Sequence, residues 1–350
     1  MKLKRPIAFI IIAIIILTVT GCTTNKKQEP LTRTEFLMDT VITLKIYDKQ
    51  DKKILDEAIN RLKEIENRMS VTIDTSDVSQ INKNAGIKPI KVHDDVYYVI
   101  EKAKYFATIS DGAYEPTIGP LVDLWNITGT DEKERSTIPS EAEIKEKMAL
   151  VNYKGLQLME GNSVYLNRKG MKIDLGGIVK GYAADEMKRI FLENGVKSAI
   201  IDLGGNIYAI GGKKNSNMWK IGIQDPFDIT GNYIGIINIK DKSIVTSGDY
   251  ERYFMYKGER YHHIIDSKTG YPSKNEVAGV SIISDKSING DALSTALFIL
   301  GVDKGTELIK KLGDVDAIFI TKQKEIYVPE RLTNNFTLTN NNLKLITNPY

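Results

Sequence analysis

The sequence predicts an α+β fold, a mixed sheet with flanking helices. Two observations lead there. Alternating apolar runs and runs of apolar residues at helical spacing are interleaved, without the regular strand–helix–strand order of a doubly wound sheet. From Leu156 onward the strand-like runs also come in short pieces separated by turn residues.

Val41 to Tyr47 alternates, with Ile42, Leu44 and Ile46 on one face, and reads as a strand. Asp51 to Met69 follows as a helix, its apolar stripe formed by Ile54, Leu55, Ala58, Ile59, Leu62, Ile65 and Met69. Thr72 to Gly86 is polar and loop-like. A second helix is expected over Asp95 to Ile109, stopping at Ser110-Asp111-Gly112. The stretch Ala113 to Trp125 (AYEPTIGPLVDLW) packs two prolines and large apolar residues together and reads as an ordered loop at a buried edge. Gly129 to Thr137 is charged and reads as an exposed excursion, and Ser140 with Glu143 forms a capping box for a short helix.

Strands are expected at Leu156–Leu158, Val164–Asn167 and Met171–Leu175, then a helix running to about Asn194, where Asn194-Gly195 ends it. Ser198–Asp202, Ile207–Ile210, Trp219–Ile223 and Ile234–Ile239 continue the sheet. Tyr250–Asp266 reads as a hairpin turning at Lys257-Gly258. A strand at Val277–Ile283, helices at Asp291–Leu300 and Lys304–Lys311, and strands at Ala317–Thr321 and Ile326–Val328 follow. The Asn-rich segment 331–350 reads as a loosely ordered polar tail.

The N-terminus carries Lys2, Lys4 and Arg5 before an apolar run, Ile7 to Val19, with signal-peptide flanks and too short for a comfortable membrane span. It ends in Val19-Thr20-Gly21-Cys22. This resembles a bacterial lipobox, in which residues 1–21 are a signal peptide and Cys22, the single cysteine, becomes the lipidated N-terminus. An uncleaved anchor is the alternative. Either way the folded part, 35–330, is expected outside the cytoplasmic membrane, tethered through a polar linker, 22–34. Removing 1–21 lowers Lys plus Arg from 48 to 45, equal to the 45 acidic residues, which argues against a nucleic-acid binder.

The chain is organised around Met171 to Asp185, MKIDLGGIVKGYAAD. A strand that feeds a double glycine and a helix N-terminus is a common phosphate cradle. Its turn presents backbone N–H groups, and Lys180 adds a charge. The motif matches neither the P-loop nor the dinucleotide fingerprint, so the pattern leaves open a phosphate site or a tight structural turn. The same letters recur at Asp202 to Gly205.

Three further segments hold polar residues that core packing leaves unexplained: Thr246 to Tyr253, His262 to Pro272, and Asp291 to Thr295. His262 and His263 are two of only three histidines; on a strand, at most one faces a given site. Either is a candidate general base or a histidine on an exposed strand face. Asp291 and Thr295, four apart, share one helix face and suit a hard cation such as Mg²⁺. Asp291 as an N-cap with Thr295 packed beneath is the plainer alternative.

Taken in order, Met38-Asp39-Thr40, AYEPTIGPLVDLW, DLGGIVKGYAAD, IDLGGNI, TSGDYERYF, HHIIDSKTGYP and DALSTAL closely resemble the ApbE family, the FAD:protein FMN transferases, including its lipoprotein members. The resemblance spans about Glu35 to Val328. It implies an ApbE-like, T-fold-related architecture and Mg²⁺-dependent transfer of FMN from FAD to a Ser or Thr hydroxyl of an acceptor flavoprotein, at a Ser/Thr-Gly-Ala-Thr type site, with release of AMP. Some members hydrolyse FAD instead, or in addition. It further implies FAD-binding roles for Met38, Ala113, Tyr114, Glu115, Asp174 and Lys180. Mg²⁺ would be held by Asp291, Thr295 and the Gly177 carbonyl, with His263 as the catalytic histidine. The chain departs from the family pattern at Asp39, where Met-Gly-Thr is usual, at Ser267, where proline is usual, and at Asn126-Ile127-Thr128 after Leu-Trp.

Overall fold

The structure, a computed structural model, describes residues 29–128, 130–213, 216–228 and 231–348. The segment expected to be a signal peptide, with Cys22, therefore lies outside the described residues. Among those described, no helix is long and apolar enough to cross a membrane.

A nine-stranded sheet runs through residues 31–348. Its strand order is Leu31–Leu37, Thr40–Ile46, Ala199–Leu203, Asn206–Ile210, Lys242–Gly248, Val277–Ser284, Asp316–Thr321, Glu325–Pro329 and Lys344–Asn348. Every neighbouring pair is antiparallel except the last, which is parallel.

The sheet is buried on both faces, and strand alternation assigns each residue to one of them. In Asp316–Thr321, Ala317 and Phe319 join the core shared with the helices Lys52–Met69, Asp94–Ile109, Val179–Glu193 and Ser287–Leu312. Ile318 and Ile320 face the opposite way. They pack with Ile221, Ile237 and Phe336 of a three-stranded sheet, Trp219–Gln224, Tyr233–Ile239 and Phe336–Leu338. A third cluster gathers Leu121, Trp125, Ile144, Phe254 and Tyr261 beneath the hairpin Tyr253–Tyr256/Glu259–His262. Phe254 and Tyr261 stack with ring centroids 5.4 Å apart. Fold class, the helices Lys52–Met69, Asp94–Ile109, Glu141–Met148 and Val179–Glu193, and the hairpin at Lys257-Gly258 are as the sequence predicts.

Several expectations need correction. Met171–Leu175 is extended and buried at alternate residues, yet its ladder contact is one bridge, Lys172 to Ile118. Its backbone bonds go elsewhere. The Asn82 side chain accepts from Ile173 N–H at 2.7 Å and donates to Ile173 C=O at 2.9 Å, and Asp174 N–H donates to Pro116 C=O. Asn82 stands on a helix, Asp77–Lys83, inside the stretch read as loop; Ser76 caps it by accepting from Ser79 N–H. The buried-edge loop contains a short helix, Gly119–Trp125, and the charged excursion holds a strand, Thr130–Glu134, parallel to Tyr253–Tyr256.

Both ends of the folded region also extend further than expected. Leu31–Leu37 starts inside the segment read as linker and forms one edge of the large sheet. The segment read as tail supplies Phe336–Leu338 and the other edge, Lys344–Asn348. Within Ser287–Leu312 the two expected C-terminal helices are present and meet at a kink at Gly301, whose φ of 79° is open to glycine, but the first begins at Ser287 rather than Asp291. Asp291 is consequently not an N-cap: it lies inside this helix, past its first turn.

Candidate functional site

The two Asp-Leu-Gly-Gly sequences fold differently. At Asp202–Gly205 the chain makes a two-residue hairpin turn, with Gly204 and Gly205 at φ 64° and 90°. At Asp174–Gly177 it leaves an extended segment and enters the helix Val179–Glu193. Gly176 N–H donates to Asp174 Oδ1 at 2.7 Å, and Ile178 and Val179 N–H both turn back to Leu175 C=O. Gly181 N–H, in the first helical turn, donates to Asp291 Oδ2 at 2.8 Å.

Of the two readings the sequence leaves open, a phosphate site and a tight structural turn, these bonds favour the turn. Most amides of the turn are already spent on internal acceptors, so it is a poor anion nest. What gathers around it instead is oxygen. A Cβ added to Gly177 would lie 3.2 Å from Thr295 Oγ1 and 3.3 Å from Tyr114 Cε2, so glycine here lets the backbone come close to both. Asp291, only 4% exposed, stands one helical turn before Thr295. Burial pushes the Asp291 carboxyl above the usual carboxylate range, while the Lys180 charge and the amides of Gly181 and Lys180 pull it back. Asp174 is likewise raised by burial, against the pull of Gly176 N–H and of the charges on Arg252 and Lys180.

Gly181 fixes how closely the two helices approach. A Cβ there would sit 2.4 Å from Ser287 C=O. One turn on, Asp185 accepts from Ser287 N–H at 2.8 Å and Ile288 N–H at 3.0 Å, so each helix caps the start of the other with a carboxylate. A hydroxyl chain ties in the Thr246–Tyr253 segment: Ser247 Oγ donates to Ser294 Oγ, which donates to Asp291 C=O, both at 2.8 Å. Sequence reasoning did not single out Asn82, Asp185 or Gly181. Only the Gly181/Asp185 spacing, four residues on one helix face, carried a signal.

The two histidines differ. His262 is buried, its Nε2 donating to Ser273 C=O at 2.9 Å and its Nδ1 accepting from Ile264 N–H at 3.3 Å, and it packs edge-on to Phe298. Its role is structural. His263 Nδ1 faces Arg252 C=O at 3.3 Å, and a carbonyl can only accept, so Nδ1 carries the proton and Nε2 keeps its lone pair. Burial first, then the charges of Arg252, His262 and Lys180, hold His263 well below the usual histidine range. It is neutral at physiological pH.

The segment Ala113-Tyr114-Glu115 is split in its roles. Ala113 and Tyr114 are buried, and Tyr114 N–H donates to Ser110 Oγ at 3.0 Å. Burial and the carboxylates of Asp291, Asp174 and Glu115 hold the Tyr114 phenol well above its ordinary range, so it stays a hydroxyl. Glu115 is occupied internally, accepting from Thr117 N–H and Oγ1 and from Tyr153 N–H at 2.9, 2.7 and 3.0 Å; it holds the loop.

Met38 is not joined to this cluster by any contact seen among the described residues. It and Asp39 are the left-handed pair, φ 54° and 57°, of the turn between the first two strands, and Met38 N–H donates to Glu66 Oε1 at 2.7 Å. Asp39 is exposed, and at this φ glycine would carry no strain. Ser267, in place of the usual proline, donates to Gly112 C=O at 3.0 Å and ties its turn to the Ala113 segment.

Among the described residues no three His, Cys, Asp or Glu side chains group to hold a metal ion. A cation here would therefore draw on Asp291, Thr295 and backbone oxygen. Those hard donors and the buried carboxylate fit Mg²⁺.

Comparison with known proteins identifies the family. A model of the ApbE family matches residues 38–319. The FAD:protein FMN transferase of Klebsiella pneumoniae is 38% identical over 299 residues, covering 85% of this chain and 91% of that protein. The protein of the same name from Treponema pallidum is 34% identical over 334 residues, covering 90% and 91%. Among solved structures, the ApbE protein of Thermotoga maritima superposes with a TM-score of 0.79 at 32% identity, covering 88% of this chain and 99% of that one. The flavin transferase ApbE of Vibrio cholerae gives 0.75 at 27%, covering 84% and 94%. The chain belongs to the ApbE family.

Proposed function

We propose that this protein is an FAD:protein FMN transferase that moves the FMN half of FAD onto a Ser or Thr hydroxyl of an acceptor flavoprotein and releases AMP. The observation that carries this reading is the meeting of Gly177, Asp291 and Thr295 at the start of the helix Val179–Glu193, with Lys180 beside them. The names borne by its relatives support it.

Asp291, Thr295 and the Gly177 carbonyl would hold Mg²⁺. When bound, the ion supplies charge stabilisation on the pyrophosphate and its leaving group. Lys180 adds a mobile positive charge to the same phosphates. His263 Nε2 takes the proton of the acceptor hydroxyl as its oxygen bonds to the FMN phosphorus. The bond from that phosphorus to the bridging oxygen breaks, and AMP leaves with that oxygen. No covalent enzyme intermediate is needed. Ala113, Tyr114 and Asp174 line the substrate side, while Glu115 positions their loop. The reading also places the protein on the outer face of the cytoplasmic membrane, held by lipid on Cys22, where extracytoplasmic flavoproteins or membrane redox subunits are its acceptors.

The test is AMP release from FAD and Mg²⁺, with and without an acceptor fragment. A transferase gives AMP in step with the acceptor. AMP at once without acceptor marks an FAD pyrophosphatase, and no AMP in either case marks a flavin-binding lipoprotein.

A further inference from the structure

Exposed lysines crowd one end of the large sheet. Lys197 precedes the strand Ala199–Leu203, and Lys213 follows its partner Asn206–Ile210. Their loops are pressed together: a Cβ on Gly211 would lie 2.0 Å from Lys197 C=O, and Ser198 Oγ donates to Gly212 C=O at 2.9 Å. Lys220 and Lys240 come from the neighbouring three-stranded sheet, where Trp219 pairs with Ile239. Lys240 Nζ donates to Asn217 Oδ1 at 3.4 Å, and a Cβ on Gly212 would meet the Asn217 backbone, so both sheets bring their lysines to one turn. Met218, 40% exposed, stands in that turn. Among the described residues none of these four lysines is ion-paired. The nearby carboxylates Asp48 and Asp241 are spent on backbone amides: Asp48 accepts from Lys197 and Ser198 N–H, and Asp241 from Gly211 N–H.

The chain enters the fold at this same end. Leu31 pairs with Ile46 and Ile46 with Ala199. Tyr47 N–H donates to Ser198 C=O, and its ring lies 4.8 Å from that of Trp219. Nine residue steps, 22 to 31, separate Cys22 from Leu31, about 30 Å at full extension. The candidate site lies the other way: the helix Val179–Glu193, 15 residues and about 22 Å long, runs from Gly177 toward Lys197. We propose that Lys197, Lys213, Lys220 and Lys240 lie against an anionic phospholipid surface, so that the Gly177 end of the helix points away from the bilayer. The choice of occupant follows from the unpaired positive charge and from the short tether that ends beside it. Each lysine at such a surface favours binding about fivefold. The inference rests on the proposed lipid attachment at Cys22 and is independent of the transfer chemistry.

The test places the lipid-attached protein in vesicles of phosphatidylglycerol with phosphatidylcholine, or of phosphatidylcholine alone. Mass spectrometry then reads how fast each lysine reacts with an acetylating reagent. Lys197, Lys213, Lys220 and Lys240 should react about fivefold or more slowly on the anionic vesicles, and salt at about 0.5 M should abolish the difference. Lys324, in the turn at the opposite end of the sheet, should react equally on both. Lys213→Gln with Lys240→Gln should remove most of the slowing at Lys197 and Lys220. Equal rates on the two vesicles, or equal slowing at Lys324, overturn the inference. So does slowing seen only in native membranes, which marks an acidic protein partner. Cys22 found without lipid removes the attachment, and this inference with it, while leaving FMN transfer to be judged by its own test.

Discussion

Asp291 Oδ2 and Gly181 N–H, 110 positions apart in sequence, meet at 2.8 Å. One carboxylate thereby caps the helix Val179–Glu193 from inside the helix Ser287–Leu312. Asp291→Asn keeps an acceptor for the amide and removes the charge; Asp291→Ala removes both. The asparagine variant should hold near wild-type stability and lose Mg²⁺-stimulated FMN transfer by about a hundredfold or more. The alanine variant should in addition lose about 1–3 kcal/mol. Denaturant titration and a Mg²⁺ titration of turnover separate the two effects. An asparagine variant fully active at saturating Mg²⁺ would take Asp291 out of the metal site.

Gly177 and Gly181 are four residues apart and should respond differently to alanine. At Gly181 the new Cβ meets a backbone carbonyl at 2.4 Å, so the helices must separate, at a cost of about 1–3 kcal/mol. At Gly177 it meets Thr295 Oγ1 and the Tyr114 ring at 3.2 and 3.3 Å, contacts the side chains can ease. Gly177→Ala should leave the unfolding midpoint nearly unchanged and raise the Mg²⁺ concentration needed for half-maximal activity. Equal stability losses in both variants would contradict this.

His263→Gln should bind FAD normally and transfer FMN about 10²- to 10⁴-fold more slowly. Because the imidazole is held well below 6.5, wild-type transfer should stay level from pH 8 down through 6.5, with no inflection at the ordinary histidine value. Such an inflection in the pH–rate profile would show a base with an unperturbed pKa.

His262 bears on stability. Burial lowers its pKa from 6.5 to about 4, so the unfolded chain binds more protons than the folded one between those values. Stability therefore rises with pH across that window and is lost as pH falls through it, by up to about 3 kcal/mol. Urea midpoints measured from pH 4 to 7 should show this slope, and His262→Gln, which preserves a donor toward Ser273 C=O, should flatten it in part. A slope identical in the variant would place the acid sensitivity elsewhere.

Much of this architecture was legible in the sequence because apolar spacing and burial share one cause. Ile54, Leu55, Ala58 and Leu62 fall on the buried face of their helix as their spacing demands. Asp291 and Thr295, read from their spacing as sharing a helix face, do stand one turn apart inside Ser287–Leu312. What failed has physical reasons. Met171–Leu175 shows strand-like burial, but a side-chain amide, Asn82, takes the place of a neighbouring strand. The same Asp-Leu-Gly-Gly letters give a left-handed hairpin at Gly204 and a helix entry at Gly177, since Thr40 and Thr295 meet them in different surroundings. The strand Lys344–Asn348 was hidden among asparagines because its order comes from pairing with Glu325–Pro329. Reciprocal capping by Asp185 and Asp291 depends on two helices meeting, which local pattern does not encode.

The most direct test of the central claim is the mass of an acceptor fragment bearing a Ser/Thr-Gly-Ala-Thr segment after incubation with the protein, FAD and Mg²⁺. Covalent FMN on the fragment, absent when Mg²⁺ is chelated and absent with Asp291→Asn, is the predicted result. An unmodified fragment, with FAD intact or simply hydrolysed, would contradict the account.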